Sequence, residues 1–144
     1  MDISFWRNKR VLITGNTGFK GSWLSLWLEH LGAKVYGCAL KPNTNPNLFE
    51  VARVEEGSEV YFCDIRDYSK LNLFLRELEP EIIFHLAAQP LVSNSYLNPL
   101  ETYSTNVMGL VNLFDISRNL LKLKVIVNIT TDKCYENKEW ELKY

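Results

Sequence analysis

The sequence predicts an α/β protein built on a doubly wound parallel sheet. Three observations carry this reading. Five short apolar runs recur along 144 residues, helical patterns stand between most of them, and a glycine-rich turn follows the first run directly. Alternation of strand and helix requires parallel strands joined by right-handed crossovers.

The strand-length runs are Val11–Ile13, Lys34–Ala39, Glu59–Cys63, Ile82–Leu86 and Lys124–Ile129. They are rich in Val, Ile, Leu and aromatic residues with little alternation, the pattern of strands buried on both faces. Phe19 to Leu31 carries apolar residues at 19, 23, 24, 27, 28 and 31, a helical face that Gly32 closes. Trp23 and Trp27, one turn apart on that face, are expected to pack in the core or at an interface. A second helix is expected from Tyr68 to Leu78, with Asp67 as its cap and Pro80 just beyond. A third opens at "NPLE", with Asn98 as cap and Pro99 in the first helical position, and is expected to run to about Leu121. Residues 42–46 read as a loop, and 47–54 fit neither pattern cleanly.

Composition narrows the function classes. Sixteen basic against seventeen acidic residues give a net charge of −1, with no clustered basic patch for nucleic acid or a membrane surface. No apolar stretch reaches the roughly 18 residues of a spanning helix, and the N-terminus has no signal-peptide core, so a cytoplasmic location is expected. Cys38, Cys63 and Cys134 lie far apart, which argues against a disulfide framework or a zinc site, and no metal is expected.

Ligands of such sheets bind beyond the carboxyl ends of the strands, and the unusual residues cluster there. After the first strand comes "TGNTGFKGSWL", with Gly15, Gly18 and Gly21 three apart and Phe19 and Lys20 between them. The first glycine suits a tight turn, the second a ligand approaching the backbone, and the third close packing of helix on strand. The helix N-terminus then offers N–H groups to a pyrophosphate. This is the mark of a Rossmann-type dinucleotide site. The acid that would bind the ribose hydroxyls of NAD is missing after the second strand, where Lys41 is the only charge, so the residues leave NADP open beside NAD. The third strand ends in "CDIRD" and the fourth in "FHLAAQP". His85 reads as packed or hydrogen-bonded rather than catalytic. Asn106 lies inside the long helix, where its type is unfavourable without a reason.

The spacing G-x-x-G-x-x-G, together with "AAQPLVSNSY", "ETYSTNVMG" and "TTDKCYENKEW", resembles extended short-chain dehydrogenase/reductases, within them the nucleotide-sugar 4,6-dehydratases and in particular the branch acting on CDP-glucose. The resemblance covers the whole chain. It implies NAD bound by Gly15, Gly18, Phe19, Lys20 and Gly21, with Asp64 and Ile65 at the adenine, and Leu86, Ala87, Ala88 and Thr105 along the cofactor. It implies a nucleotide sugar as partner, touched by Gln89 and Thr131, and a homodimer through the 98–121 helix. The implied reaction oxidises carbon 4 of the sugar, eliminates water across carbons 5 and 6, and returns the hydride to carbon 6. Thr131 would hold the carbon 4 oxygen, Asp132 would protonate the leaving hydroxyl, and Asn106 would support the site from its helix. Lys133 stands as either a neutral base or a charged stabiliser of the enolate.

No Tyr-x-x-x-Lys follows Lys133, although the family's carbon 4 oxidation relies on that pair. Residues 1–144 therefore read as an N-terminal dinucleotide-binding domain, incomplete, lacking that helix, the sixth strand and the substrate domain, and inactive alone. Another nucleotide-sugar dehydratase or epimerase, or a non-catalytic dinucleotide-binding module, also accommodates these features.

Overall fold

The computed structural model describes residues 3–131 and 134–136. Asp132 and Lys133 lie outside the described residues.

Five parallel strands form one sheet in the order β3-β2-β1-β4-β5: β1 (Arg10–Thr14), β2 (Lys34–Ala39), β3 (Ser58–Phe62), β4 (Ile82–His85) and β5 (Val125–Asn128). Each differs from its expected span by two residues or fewer. Strand order reverses between β1 and β4, which opens the crevice where ligands of such sheets lie. β1 runs fully buried from Val11 to Thr14, whereas the edge strands β3 and β5 expose Tyr61, Phe62, Val125 and Val127. Burial on both faces thus holds for the middle of the sheet and fails at its margins.

Between the strands lie α1 (Phe19–His30), α2 (Leu48–Val51), α3 (Tyr68–Leu78), α4 (Val92–Leu97), α5 (Pro99–Tyr103) and α6 (Gly109–Ser117), with short 3₁₀ turns at Ile3–Trp6 and Val54–Glu56. α1 ends on Gly32 at φ +86, where Gly32 N donates to Glu29 O and Ala33 N to Leu28 O, the paired bonds of a Schellman stop. α3 matches expectation, and the Asp67 side chain accepts from Lys70 N at its start. Asn47 caps α2 in the same way, which resolves the ambiguous stretch. Nothing in the sequence pattern had marked α4.

Three expectations need correction. The long helix stops at Ser117 rather than Leu121, and a π-helical segment, Ser104–Met108, joins α5 to α6. Asn98 sits at the cap position, yet its side chain makes no cap bond and donates instead to Asn94 Oδ1. Trp23 and Trp27 are not in the core; they are 56% and 52% exposed. The face of α1 that meets the sheet is Gly21, Ser22, Ser25 and Leu28. A helix whose large apolar residues fall on several sides has no single periodic stripe to read, and the small residues decide which side comes close.

Two core clusters sandwich the sheet. Leu12, Ile83, Leu71, Leu75, Leu113 and Ile116 pack on the side of α3 and α6. Val11, Ile13, Leu28, Val35 and Ile82 pack on the side of α1. Cys38 and Cys63 are buried and free.

Candidate functional site

The glycines divide their work as the turn requires. Gly15 takes φ +76, and a Cβ there would stand 2.8 Å from Ala87 N. A Cβ on Gly21 would collide with the Gly15 carbonyl oxygen. Gly18 is different: it is exposed, and a Cβ would meet only Gly15 O, at 3.3 Å. Gly18 is also the N-cap of α1, and no side chain caps that helix. The N–H groups of Phe19, Lys20 and Gly21 therefore have no acceptor within the helix, and they open on the side that Gly18 leaves clear.

Beside this turn lies a cavity of about 490 Å³ between the start of α1 and the end of β2. Thr17, Leu40, Lys41, Asn43 and Thr44 line it together with Gly18 and Phe19. Among the described residues no carboxylate lines it. The sequence reading passed over Asn43 and Thr44 as loop; their place after β2 was the available signal.

Across the switch point, Leu86 to Gln89 form the facing wall, tied down at both ends. At one end the Leu86 and Ala87 amides donate to Thr14 Oγ1, each at 3.2 Å. At the other, Gln89 N donates to Asn106 Oδ1 at 2.7 Å, and Asn106 Nδ2 donates to Gln89 O at 3.0 Å. The π-helical turn holds Asn106 in place for this two-way bond, and such turns recur at functional sites. Thr105 lies half-buried beside it. The Gln89 side chain is itself engaged, its Nε2 on Leu91 O and Thr102 Oγ1 and its Oε1 on Leu91 N. Replacing Asn106 with Ala should leave a part-buried N–H and C=O of Gln89 unpaired and cost about 1–3 kcal/mol, with Asn106→Asp, which keeps the acceptor, falling between. Urea titration of the two variants checks the order.

After β3, Asp64 accepts from the Arg66 amide at 2.9 Å and pairs with the Arg66 guanidinium at 2.6 Å. That hydrogen bonding holds its carboxyl below the usual range. Ile65 is buried, and a Cβ on Gly109 of α6 would run into its side chain. Asn112 Nδ2 donates to both Ile65 O and Arg66 O, so this loop too is pinned to the long helix. Beyond β5, Thr131 is exposed and its carbonyl accepts from Cys134 Sγ at 3.1 Å. The expected cofactor residues thus follow the ends of β1, β3 and β4, with Thr105 in the π-helical segment beside them. Among the described residues no metal-binding cluster of His, Cys, Asp and Glu occurs.

Topology and turn together define a Rossmann-type domain. A family model described as GDP-mannose 4,6 dehydratase matches residues 12–140, and the chain belongs to that family of nucleotide-sugar dehydratases. It is 54% identical over all its residues to the CDP-glucose 4,6-dehydratase of Salmonella typhimurium, spanning 40% of that protein's length. It is 33% identical to the UDP-glucose 4-epimerase of Mycoplasma genitalium over 78% of this chain and 33% of the other. Among solved structures, the UDP-glucose 4-epimerase of Thermus thermophilus in complex with NAD superposes with a TM-score of 0.69, at 30% identity, covering 81% of this chain and 36% of that one.

Proposed function

We propose that the chain is the N-terminal, cofactor-binding part of a lyase that dehydrates CDP-glucose to CDP-4-keto-6-deoxyglucose for deoxysugar and surface-polysaccharide synthesis in the cytoplasm. The observation that carries this is the 54% identity to a CDP-glucose 4,6-dehydratase along the entire chain, against 33% over part of it for an epimerase. The described residues fit a dinucleotide. An uncapped helix start and an exposed Gly18 suit a pyrophosphate, and the adjoining cavity, with Lys41 and no carboxylate among its described lining residues, leaves NADP open beside NAD. NAD is the cofactor we assign, since the Thermus relative was solved with it. When bound, it supplies the hydride acceptor that makes carbon 4 a ketone and the donor that later reduces carbon 6.

The chain's own residues do the rest. Backbone amides of Phe19 to Gly21 hold the pyrophosphate. Leu86 to Ala88, fixed by Thr14 and Asn106, line the nicotinamide side. Thr131 holds the carbon 4 oxygen, and Asp132 delivers a proton to the departing carbon 6 hydroxyl. Lys133 acts either as the base that takes the carbon 5 proton or as a charge that stabilises the enolate. A homodimer forms through the outward face of the 98–121 segment, where Leu100, Tyr103, Val107, Val111 and Phe114 recur every three or four residues and stand exposed. Among the described residues no helix is long and apolar enough to cross a membrane.

The test is a chimera in which these 144 residues replace the matching part of the Salmonella enzyme. It should fold, bind NADH and turn over CDP-glucose. Asp132→Asn and Lys133→Met should each lower its kcat by about a hundredfold or more. A chimera that folds, binds NADH and leaves CDP-glucose untouched would refute the assignment. The chain alone should bind cofactor without turnover.

A further inference from the structure

We propose that His85 is a positioning residue for the cofactor, acting through Thr14 to hold Leu86–Gln89 against the glycine turn. Thr14 and His85 are the last residues of β1 and β4 and lie opposite each other in the register. Both are buried, at 0% and 4% exposure, and His85 Nδ1 stands 2.7 Å from Thr14 Oγ1. The Thr14 hydroxyl has one proton and two lone pairs. The Leu86 and Ala87 amides take the lone pairs. Its proton is then left for His85 Nδ1, which must be an acceptor, so the ring is neutral and carries its hydrogen on Nε2. This bond stops the hydroxyl from rotating, and only with its rotor fixed does the Ala87 amide keep its acceptor; the Leu86 amide also donates to Thr14 O at 3.1 Å. The segment so held matters because Ala87 lies where a side chain on Gly15 would otherwise be. A shift of Ala87 thus moves both walls of the crevice.

A packed histidine would fill space equally well without this bond, and two variants separate the cases. His85→Leu keeps bulk and loses the acceptor. His85→Asn loses bulk but places Oδ1 where Nδ1 was. Binding of NADH, read by fluorescence, should weaken about tenfold in His85→Leu, the worth of one hydrogen bond, and stay near wild type in His85→Asn, even where its Tm falls. Thr14→Val should match His85→Leu, and the double variant should be no worse than either.

The proposal rests on the dinucleotide reading, so part of the test needs no cofactor. Long-range ¹⁵N spectra of the wild type should show His85 protonated at Nε2. Amide exchange at Ala87 should speed up in His85→Leu or Thr14→Val but not in His85→Asn, while Leu86, which also donates to Thr14 O, serves as the internal reference. A proton on Nδ1, or equal exchange in all variants, overturns the positioning role whatever NADH does. If the spectra and exchange are as expected and no variant or wild type binds NADH, the cofactor reading fails while the clamp stands as structure alone. A His85→Leu variant that binds NADH like wild type overturns the proposal as well. Should that variant not fold, the tautomer and Thr14→Val decide the matter.

Discussion

Gly21→Ala should destabilise this domain by about 3 kcal/mol or more, lowering Tm by roughly 10 °C. The new methyl would meet the Gly15 carbonyl oxygen and lie 2.7 Å from Asn16 Cα. Both obstacles are main chain, so no rotamer change relieves the contact. Either α1 lifts off the sheet or the turn opens, and each breaks the seat of Gly21 and Ser22 against β1. Gly18→Ala makes the contrast. Its φ of −76 suits alanine, and the methyl meets one atom at 3.3 Å. Stability should change by no more than about 1 kcal/mol, while NADH binding weakens about tenfold or more, because the methyl occupies the side from which a pyrophosphate approaches. Denaturation and NADH titration on the same two variants check both halves. Equal losses of stability would mean that the glycines serve packing alone, and equal retention of binding would remove Gly18 from the cofactor site.

The contrast also shows what could be read from sequence. The glycine turn, the strand runs and α3 follow from local rules: a positive φ at Gly15, buried β-branched runs, a capping aspartate. These act within a few residues, so the chain itself displays them. What escaped depends on partners far along the chain. Trp23 and Trp27 were expected in the core or at an interface, and the core half of that fails because the packing face of α1 is the one that makes Ser22 and Ser25 interior. Asn106 was legible as an oddity in a helix. That it would answer Gln89, 17 residues away, through a π-helical turn was not. Asp64 stood out at a strand end, yet the pinning of its loop by Asn112, through Ile65 O and Arg66 O, was not legible. The proposed reaction itself rests on resemblance: no spacing in "TTDK" distinguishes an eliminating acid from a solvated pair.

Folding stability should fall by about 3 kcal/mol between pH 6.5 and pH 4, and His85 should account for most of that loss. Burial pushes its pKa from 6.5 down to about 4 in the folded protein. In that window the unfolded chain binds a proton on His85 and the folded chain does not, so acid favours unfolding. Above pH 6.5 the ring is neutral in both states and the dependence vanishes; below pH 4 both are charged and it vanishes again. Protonation would also put a donor at Nδ1 toward a hydroxyl whose lone pairs are already taken by Leu86 and Ala87. Asp64, Asp67 and Glu81 have carboxyls held below their usual range by Arg66, Lys70 and Lys9, so their contributions are lost mainly below this window. Urea titrations at pH 7 and pH 4.5 test the prediction, with His85→Asn as control. The variant should be less stable at pH 7 and much flatter across the range. A wild-type curve with no slope there would mean that His85 is solvated enough to titrate normally, and that the β1–β4 clamp opens to water.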